Sequence, residues 1–512
     1  MRGSPVSVRS DQEYLRAVLR APVYEVAEKT PLEPMPNVSK RLDNTVLVKR
    51  EDRQAVHSFK IRGAYNRMRN LTEEERRAGV VTASAGNHAQ GVALSSARLA
   101  VKAKIVMPRP TPTIKVDAVR QLGGEVVLAG DSFDEAKAHA LELAENEGLT
   151  YVAPFDDPMV IAGQGTIGLE LIQDAADVNR IFVPVGGGGL AAGIAVLVKQ
   201  LMPQVKIIGV EPAESACLAA AMEAGEPVTL DRVSLFAEGV AVARIGDETF
   251  RILKDHLDDV VTVDSDEISA AVKDLFDDVR AVAEPAGAVA LAGLKKYVRA
   301  HDIHGEQLAA VLSGANLNFG SLRHIAERAE IGGRREGMFG VIIDERPGAF
   351  LDFCRLLGGR MVTEFNYRLA DDDSAAIFVG VQLAHRNERS EIVEILSSAG
   401  HRVVDLSDDE AAKTHVRYMV GGHPSRSVGE KVVSFVFPES PGALTHFLTT
   451  LGTRWNISLF HYRSFAMDTG RVLAGFEGAA DDPDLSSHLD GIGYPWSDVS
   501  DSPSYQMFLR ER

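Results

Sequence analysis

The sequence predicts an α/β protein in which parallel sheets form the first two thirds of the chain and a duplicated unit forms the rest. Two observations carry this prediction. Short, continuously apolar runs such as residues 103–107 and 181–185 alternate with helical segments, which is typical of parallel strands buried on both faces. Beyond about residue 337, a different pattern of strands, turns and helices occurs twice.

The elements of the first part follow from hydrophobic patterns and helix caps. Ser10, with Glu13 three positions later, forms a capping box and predicts a helix to Leu19. Residues 23–27 are also predicted to be helical. Predicted strands cover residues 45–48, 80–82, 103–107, 125–128, 150–152, 181–185 and 205–210. Predicted helices cover residues 114–122, 134–145, 159–173 and 190–201, with another that begins after a turn at Ser84 and runs to Ala97.

The C-terminal third contains two copies of one unit. Pro347 recurs as Pro441, 94 residues later, and Tyr367 recurs as Tyr462, 95 residues later. Each copy reads as strand, Pro-Gly turn, helix and further strands, a βαββαβ order that predicts ferredoxin-like units at residues 337–410 and 431–504. We place a first region at residues 1–330. The glycine- and charge-rich run 327–337 predicts a linker.

Composition excludes several classes of protein. The length of 512 residues predicts two or three domains, and the net charge of −17 argues against a nucleic acid or an anionic membrane as partner. The two cysteines, Cys217 and Cys354, lack metal-ligand spacing, and no apolar run approaches the roughly 20 residues of a membrane helix. No targeting segment is predicted in the first ten residues, so we expect a cytoplasmic protein.

Four consecutive glycines, residues 186–189, separate an apolar strand from a helix that begins near Leu190. Successive backbone amides and the dipole at a helix start favour a bound anion, so a phosphate is expected here. The run also satisfies G-x-G-x-x-A through Ala191, and Glu211 ends the next strand about 20 residues later, as in dinucleotide-binding sites. From this motif alone, an NAD-binding domain stays open.

A lysine stands out in the run Val56-His57-Ser58-Phe59-Lys60-Ile61-Arg62-Gly63-Ala64, at the start of a predicted helix. A desolvated lysine amine loses its charge and becomes a nucleophile for a carbonyl cofactor. A single lysine at such a place is ordinarily a surface residue. Lys60 differs because the glycine loop and the turn Ser84-Ala85-Gly86-Asn87-His88 accompany it, each after an apolar strand. Together the three motifs indicate a pyridoxal-phosphate site.

These motifs resemble those of the fold-type II pyridoxal-phosphate enzymes, whose catalytic region is similar to the tryptophan synthase β chain. More closely, the chain resembles the biosynthetic threonine deaminases (threonine ammonia-lyases), over essentially its whole length. The doubled C-terminal unit resembles their paired ACT-like regulatory domain. The resemblance implies α,β-elimination of L-threonine to 2-oxobutanoate and ammonia, the first committed step of isoleucine biosynthesis. It also implies inhibition by isoleucine, valine as a competing effector, and a homotetramer.

The resemblance further implies a role for individual residues. Lys60 would carry pyridoxal 5'-phosphate and act as the catalytic base, with Phe59 beside the ring. Asn87 would bond the phenolic oxygen, and Ser313 would face the pyridine nitrogen. The phosphate would be held by Gly186, Gly187, Gly188, Gly189 and Leu190. The substrate carboxylate would be received by Ser84, Ala85, Gly86, Asn87 and His88. Effectors would contact Tyr367 and Tyr462, for which a purely structural role is the alternative.

Two departures refine this expectation. Related serine racemases carry a serine where this chain has Ala85, so racemisation is not expected. They also bind a divalent ion through a glutamate that matches Glu211 and a second carboxylate, which Cys217 replaces here. No metal is therefore predicted, and a monovalent cation is left open.

Several alternatives stay open at this point. Glu284 either lines the pocket or caps a helix, and His57 and His88 are read as orienting groups rather than as the base. L-Serine is an alternative substrate, as in a serine/threonine dehydratase of broader specificity. A third class of function is an amino-acid sensor in which the N-terminal half is inert.

Overall fold

The computed structural model describes residues 10–333, 335–369, 374–385, 387–419, 429–438, 442–463, 469–480 and 482–510. The chain divides into two compact units, residues 1–329 and 330–512. Pro441, which belongs to the second copy of the predicted repeat, lies outside the described residues.

The first unit is built on two sheets. Its strands are β1 (Leu32–Pro34), β2 (Thr45–Arg50), β3 (Val80–Ala83), β4 (Ala103–Met107), β5 (Glu125–Leu128), β6 (Thr150–Tyr151), β7 (Arg180–Pro184), β8 (Lys206–Pro212), β9 (Asp259–Val263) and β10 (Gln307–Leu312). The six-stranded sheet has the order β1-β2-β10-β7-β8-β9 and is parallel except for β1. The four-stranded sheet has the order β5-β4-β3-β6 and is parallel throughout.

The structure describes fourteen α-helices that begin in this unit, and the last of them extends past its boundary. They are α1 (Asp11–Leu19), α2 (Pro36–Leu42), α3 (Lys60–Arg69), α4 (Glu73–Ala78), α5 (Asn87–Leu99), α6 (Thr113–Gln121), α7 (Phe133–Glu147), α8 (Pro158–Asp174), α9 (Gly189–Leu201), α10 (Cys217–Ala224), α11 (Asp247–His256), α12 (Ser265–Val279), α13 (Pro285–Ala300) and α14 (Leu322–Gly332). Alternate residues of the central strands enter different hydrophobic clusters, for example Phe182 in one and Val183 in another. Both faces of the six-stranded sheet are therefore buried, which explains its continuously apolar strands.

Most predicted elements of this unit are present. The strands predicted at 103–107 and 125–128 have these bounds in the structure, and the capping box of Ser10 and Glu13 begins α1. The prediction of a helix over residues 23–27 is wrong in extent, since only a 3-10 turn at Val23–Glu25 forms. Pro22 precedes that turn and Pro31 follows soon after, which leaves little room for an α-helix.

The second unit is one antiparallel sheet with helices. Its strands are β11 (Glu336–Asp344), β12 (Val362–Arg368), β13 (Ser374–Gln382), β14 (Arg402–Asp405), β15 (Lys431–Pro438), β16 (Ile457–Arg463), β17 (Thr469–Phe476) and β18 (Trp496–Asp498). Its helices are α15 (Ala349–Leu357), α16 (Glu388–Ser398), α17 (Glu410–Thr414), α18 (Ala443–Leu451), α19 (Asp484–Ile492) and α20 (Pro503–Phe508).

The order along the chain confirms two ferredoxin-like βαββαβ repeats, from β11 to β14 and from β15 to β18. The eight strands form a single sheet of order β14-β11-β13-β12-β16-β17-β15-β18. Pairing of β12 with β16, with Phe365 opposite Tyr462 and Tyr367 opposite Phe460, joins the two repeats. One hydrophobic cluster, which includes Phe353, Phe365, Phe435 and Phe447, spans both repeats.

The predicted linker at residues 327–337 is wrong for most of its length. Helix α14 continues to Gly332, and β11 begins at Glu336, so at most residues 333–335 connect the two elements. Glu327, Arg328, Ala329 and Glu330 favour a helix, whereas the following glycines end it. The charges that suggested a linker belong to a helix with buried Ile325 and Ala329.

Candidate active site

A cavity of about 490 Å³ lies at the carboxyl ends of β7 and β10, beside the start of α3. Ligands of parallel α/β sheets bind at this edge. All three sequence motifs contribute to its wall. The lining residues are Phe59, Lys60, Asn87, Pro154, Phe155, Gln164, Pro184, Gly186, Gly187, Gly188, Gly189, Leu190, Gly239, Val240, Glu284, Ala286 and Ser313.

Lys60 is the first residue of α3, and its side chain enters the cavity. Its Nζ donates a hydrogen bond to the carbonyl oxygen of Pro154 at 2.9 Å and lies 5.3 Å from the centroid of the Phe59 ring. Burial lowers the pKa of Lys60 from 10.5 to about 8, and the nearby carboxyl of Glu284 opposes part of this change. An amine with such a pKa is partly neutral near physiological pH, and the neutral form attacks carbonyl groups.

A buried ionic cluster fixes the start of α3. Arg62 donates to Glu51 through Nε at 2.8 Å and to Glu170 through Nη1 at 2.6 Å, and Lys49 Nζ lies 2.6 Å from Glu170 Oε2. All four side chains are fully buried. Burial alone would lower the pKa of Arg62, but the two carboxylates outweigh it and raise that pKa. Because separating a buried ion pair costs about 3–5 kcal/mol, the cluster holds Lys60 in place through its helix.

The glycine loop has the geometry of an anion cradle. Gly188 has φ +91°, in the left-handed region that favours glycine. A Cβ on Gly187 would lie 2.2 Å from the ring of Phe155, so the loop has no room for side chains there. Within the described chain, the backbone amides of residues 187–190 donate to no other protein atom. These free N–H groups, together with the start of α9, fit a phosphate.

The turn between β3 and α5 contributes one residue, Asn87, to the cavity wall. Ser84 fixes the turn, since its Oγ accepts hydrogen bonds from the backbone amides of Gly86 and Ala89, both at 3.3 Å. The other members of the predicted substrate-binding run do not line the cavity. They are Ser84, Ala85, Gly86 and His88.

His88 lies behind the cavity wall and is buried. Its Nε2 is 3.1 Å from the carbonyl oxygen of Val152, which can only accept, so Nε2 carries the proton in that bond. Burial, reinforced by the charge of Lys60, lowers the pKa of His88 to about 3. A neutral ring held in this way orients the start of α5.

Asn87 stands between two polar side chains. Its Nδ2 donates to Oε1 of Glu284 at 2.6 Å, and its Oδ1 accepts from Nδ2 of Asn316 at 2.6 Å. Glu284 occupies the N-cap position of α13, but its side chain makes no capping hydrogen bond and lines the cavity instead. Burial raises the pKa of Glu284 to about 7, although the hydrogen bond from Asn87 opposes this change.

Ser313 directly follows β10 and lines the cavity. Its Oγ donates to the carbonyl oxygen of Ala286 at 3.3 Å, and its own carbonyl accepts from the amide of Phe59 at 3.1 Å. The structure therefore presents a neutral hydroxyl at this wall.

Several cavity residues were not found from the sequence. Pro154 and Phe155 follow β6, and Gly239 and Val240 belong to a 3-10 turn within a long irregular segment, so no periodic pattern marks them. Asn316 does not line the cavity but bonds to Asn87, and it could have been found because it follows β10 in the same strand-end run as Ser313.

Glu211 is engaged at the start of α10. Its carboxylate accepts hydrogen bonds from the amides of Leu218 at 2.8 Å and Ala219 at 2.9 Å, at the start of α10. No group of three His, Cys, Asp or Glu side chains that could hold a metal ion occurs among the residues that the structure describes. In the same part of the chain, no helix is both long and apolar enough to cross a membrane.

The second unit has two cavities with related linings. One, of about 440 Å³, lies where the start of α18 meets the end of α15, and Tyr462 and Gly442 line it. The other, of about 290 Å³, lies where the start of α15 meets the end of α18, with Gly348 in the place of Gly442. Tyr367 is not among the lining residues of the second cavity.

Tyr367 makes an internal bond in the same unit. Its hydroxyl donates to Oε2 of Glu345 at 2.5 Å, and Asn456, which lines the smaller cavity, donates to the other oxygen of that carboxylate at 2.9 Å. The two tyrosines thus occupy matching places in the repeats but differ in their surroundings.

Comparison with known proteins agrees with both units. A family model described as "Pyridoxal-phosphate dependent enzyme" matches residues 23–314, and one described as "C-terminal regulatory domain of Threonine dehydratase" matches residues 327–416 and 421–509. The chain is 64% identical to the biosynthetic L-threonine dehydratase IlvA of Salmonella typhimurium over 99% of both chains. It is 44% identical to the chloroplastic biosynthetic threonine dehydratase of Arabidopsis thaliana, over 98% of this chain and 85% of that protein.

Solved structures match about three fifths of the chain. Processed threonine deaminase isoform 2 from Solanum lycopersicum is 52% identical, with a TM-score of 0.62 over 62% of this chain and 93% of that one. Maize serine racemase is 30% identical, with a TM-score of 0.58 over 61% of this chain and 95% of that one. The glycine loop lies inside the match to the pyridoxal-phosphate family, so a dinucleotide site is not favoured. The chain belongs to the pyridoxal-phosphate-dependent enzymes and, among them, to the family of biosynthetic threonine dehydratases.

Proposed function

We propose that this protein converts L-threonine to 2-oxobutanoate and ammonia, and that Lys60 is its catalytic residue. The observation that carries the proposal is the position of Lys60, whose partly buried amine of lowered pKa shares one cavity with a glycine loop that fits an anion. The near full-length relatives that are named threonine dehydratases support the choice of substrate.

The cavity residues fit pyridoxal phosphate. Gly186, Gly187, Gly188, Gly189 and the amide of Leu190 would hold the phosphate. Phe59 would lie beside the ring, Asn87 would bond its phenolic oxygen, and Ser313 would hold its pyridine nitrogen. Lys60 would be the point of covalent attachment. When bound, pyridoxal phosphate withdraws electrons from an attached amino acid and makes its α-proton acidic.

Each side chain then has a defined task. The neutral amine of Lys60 would take the proton from Cα of threonine, and the Cβ–O bond would break as the hydroxyl gains a proton and leaves as water. The released enamine tautomerises to 2-iminobutanoate, which water hydrolyses to 2-oxobutanoate and ammonia. Ser313 carries no charge, so it would not protonate the pyridine nitrogen, and this favours rapid elimination over a long-lived carbanion. The turn from Ser84 to His88 would receive the substrate carboxylate, with Asn87 as its cavity-lining member and the amide of Ala85 as a further donor.

The second unit would regulate this reaction. We infer that isoleucine and valine bind the two related cavities, because each lies at the start of a helix that can bind a carboxylate and has apolar walls for a branched side chain. Tyr462 would contact the effector directly. Tyr367 would act through Glu345. We further propose that the protein is a cytoplasmic homotetramer.

The proposal is tested by assaying purified protein for 2-oxobutanoate formed from L-threonine and for pyruvate formed from L-serine. We expect turnover of threonine with a higher kcat/KM than that for serine. We also expect inhibition by isoleucine. Lys60→Ala should retain the fold, as judged by circular dichroism, and lose turnover. Normal turnover by Lys60→Ala would show that the catalytic assignment is wrong, and faster turnover of serine would favour the broader dehydratase.

A further inference from the structure

Asn316 does not line the cavity itself but contacts Asn87, which does. Its single amino group makes two hydrogen bonds. Its Nδ2 donates to the carbonyl oxygen of Val56 at 2.8 Å and to Oδ1 of Asn87 at 2.6 Å. Asn87 in turn donates to Glu284 at 2.6 Å. A continuous chain of hydrogen bonds therefore runs from the segment before Lys60, through Asn316 and Asn87, to Glu284.

The direction of this chain is fixed by the groups at its ends. The carbonyl oxygen of Val56 can only accept a hydrogen bond, so the atom of Asn316 that faces it must be the amino nitrogen. The second proton of that nitrogen then points at Asn87, which must present its oxygen. The amino group of Asn87 is consequently turned toward Glu284 and the cavity, and only one of its two protons is used by Glu284.

Glu284 alone would not fix this orientation. An ionised carboxylate accepts from the amino group of Asn87, but a protonated carboxyl can instead donate to the oxygen of Asn87. Burial raises the pKa of Glu284 to about 7, so both forms occur near neutral pH. Asn316 removes the ambiguity because its donor to Asn87 does not titrate.

The backbone holds Asn316 firmly in register with Lys60. The amide of Phe59 donates to the carbonyl of Ser313 at 3.1 Å, and the amide of Ala315 donates to the carbonyl of His57 at 2.9 Å. Between these bonds, Ser58 pairs with Gly314 as an isolated β-bridge. The segment that carries the catalytic lysine thus also places the side chain of Asn316.

We propose that Asn316 is a positioning residue that holds the amide of Asn87 in one orientation, with its amino group toward the cofactor. The proposal rests on the proposed function, in which Asn87 bonds the phenolic oxygen of pyridoxal phosphate. A reversed amide would place the oxygen of Asn87 against that phenolic oxygen and repel it. Asn316 therefore acts on the cofactor through Asn87 and does not touch the reacting atoms.

The direct test is Asn316→Asp, which preserves shape but removes the donor. Aspartate can donate neither to Val56 nor to Asn87, so Asn87 should turn and donate to residue 316. We expect a shifted visible absorption band of the bound cofactor and an affinity for pyridoxal phosphate that falls by about tenfold or more, as expected for a lost buried hydrogen bond. Asn316→Ala removes the donor but does not force the amide of Asn87 to rotate. It should therefore shift the absorption band and lower the cofactor affinity in the same direction, by a smaller amount.

A second variant separates positioning from simple stabilisation. In Asn316→Asp combined with Glu284→Gln, the glutamine can donate to the rotated Asn87, so the two hydrogen bonds between the side chains at 316, 87 and 284 can form again in the reverse direction, and only the bond to Val56 stays lost. We expect this double variant to recover part of the thermal stability lost by Asn316→Asp but to keep the altered cofactor band. Recovery of both properties together would mean that Asn316 only stabilises the fold, and would overturn the proposal.

The matched control is Asn318→Ala, an exposed amide two residues further along that accepts a hydrogen bond only from Gly320 at 3.1 Å. It should leave the absorption band and cofactor affinity unchanged. A wild-type band and affinity in Asn316→Asp and in Asn316→Ala would refute the role of Asn316, whereas absence of the band and of turnover from the unaltered protein would refute the proposed function itself.

Discussion

The amine of Lys60 should capture pyridoxal phosphate with an apparent pKa near 8. With a pKa of about 8, close to a quarter of the amine is neutral at pH 7.5, compared with about one part in a thousand at the ordinary value of 10.5. The neutral fraction is therefore about 240 times larger in the folded protein than in an exposed lysine. The physical cause is removal of the ammonium group from water.

The assay mixes apoenzyme with pyridoxal phosphate in a stopped-flow instrument and follows the growth of visible absorbance from pH 6.5 to 10. The rate should rise with pH and level off above about pH 8. Glu284→Gln should move the midpoint to lower pH, because the carboxyl of Glu284 raises the pKa of Lys60. Lys60→Ala is the control and should develop no such band.

The lowered pKa of Lys60 should also make the free energy of unfolding depend on pH. Because the folded-state pKa is depressed, the unfolded chain binds more protons between pH 8 and 10.5, so the free energy of unfolding of the apoenzyme should rise with pH across that window. The full change corresponds to about 3 kcal/mol. Lys60→Met should lack this rise. A capture rate that still climbs steeply above pH 10, or a stability difference from Lys60→Met that does not vary with pH, would refute the reasoning.

Three further predictions follow from the site and the second unit. Ser313→Asp should protonate the pyridine nitrogen and increase α-hydrogen exchange relative to elimination, as measured by deuterium incorporation. An unchanged ratio of exchange to elimination at a lower rate would leave Ser313 with only a positional role. Gly187→Ala should weaken cofactor affinity by about 10–100-fold in a titration, because its Cβ would overlap the ring of Phe155, and near-normal affinity would contradict the packing. A chain that ends at Arg335 should keep some dehydratase activity and lose isoleucine inhibition, and full isoleucine sensitivity of this shortened enzyme would place the effector site elsewhere. In the full chain, Tyr462→Leu should weaken the affinity for the effector, by up to about 150-fold, without altering the cofactor band.

The sequence predicts the parts of the fold that are set by local pattern. The predicted bounds of strands β4 and β5 agree with the structure because parallel strands buried on both faces have short apolar runs with clear ends. The repeat of the second unit was visible because it copies turn residues such as Gly348 and Gly442, which both have positive φ. The prediction failed at residues 327–332, where charged residues on a helix were read as a linker.

The site was predictable only in part, for a physical reason. Lys60, Asn87 and the glycine loop each lie at an element boundary with a residue type that suits one task, so each could be found locally. The partnership of Asn87 with Glu284 and Asn316 joins residues 197 and 229 positions apart, and it exists only because β10 ends beside the segment that precedes α3. Contacts between residues so far apart in the sequence cannot be predicted from a local pattern.

Attachment of pyridoxal phosphate to Lys60 is tested by reductive trapping. The yellow holoenzyme is treated with borohydride, dialysed and digested, and its peptides are mapped by mass spectrometry. We expect the visible absorbance to vanish, the activity to be lost irreversibly, and the added mass of the reduced cofactor to be found on Lys60. The same mass on another lysine, or a protein that keeps no cofactor after reduction, would contradict attachment at Lys60.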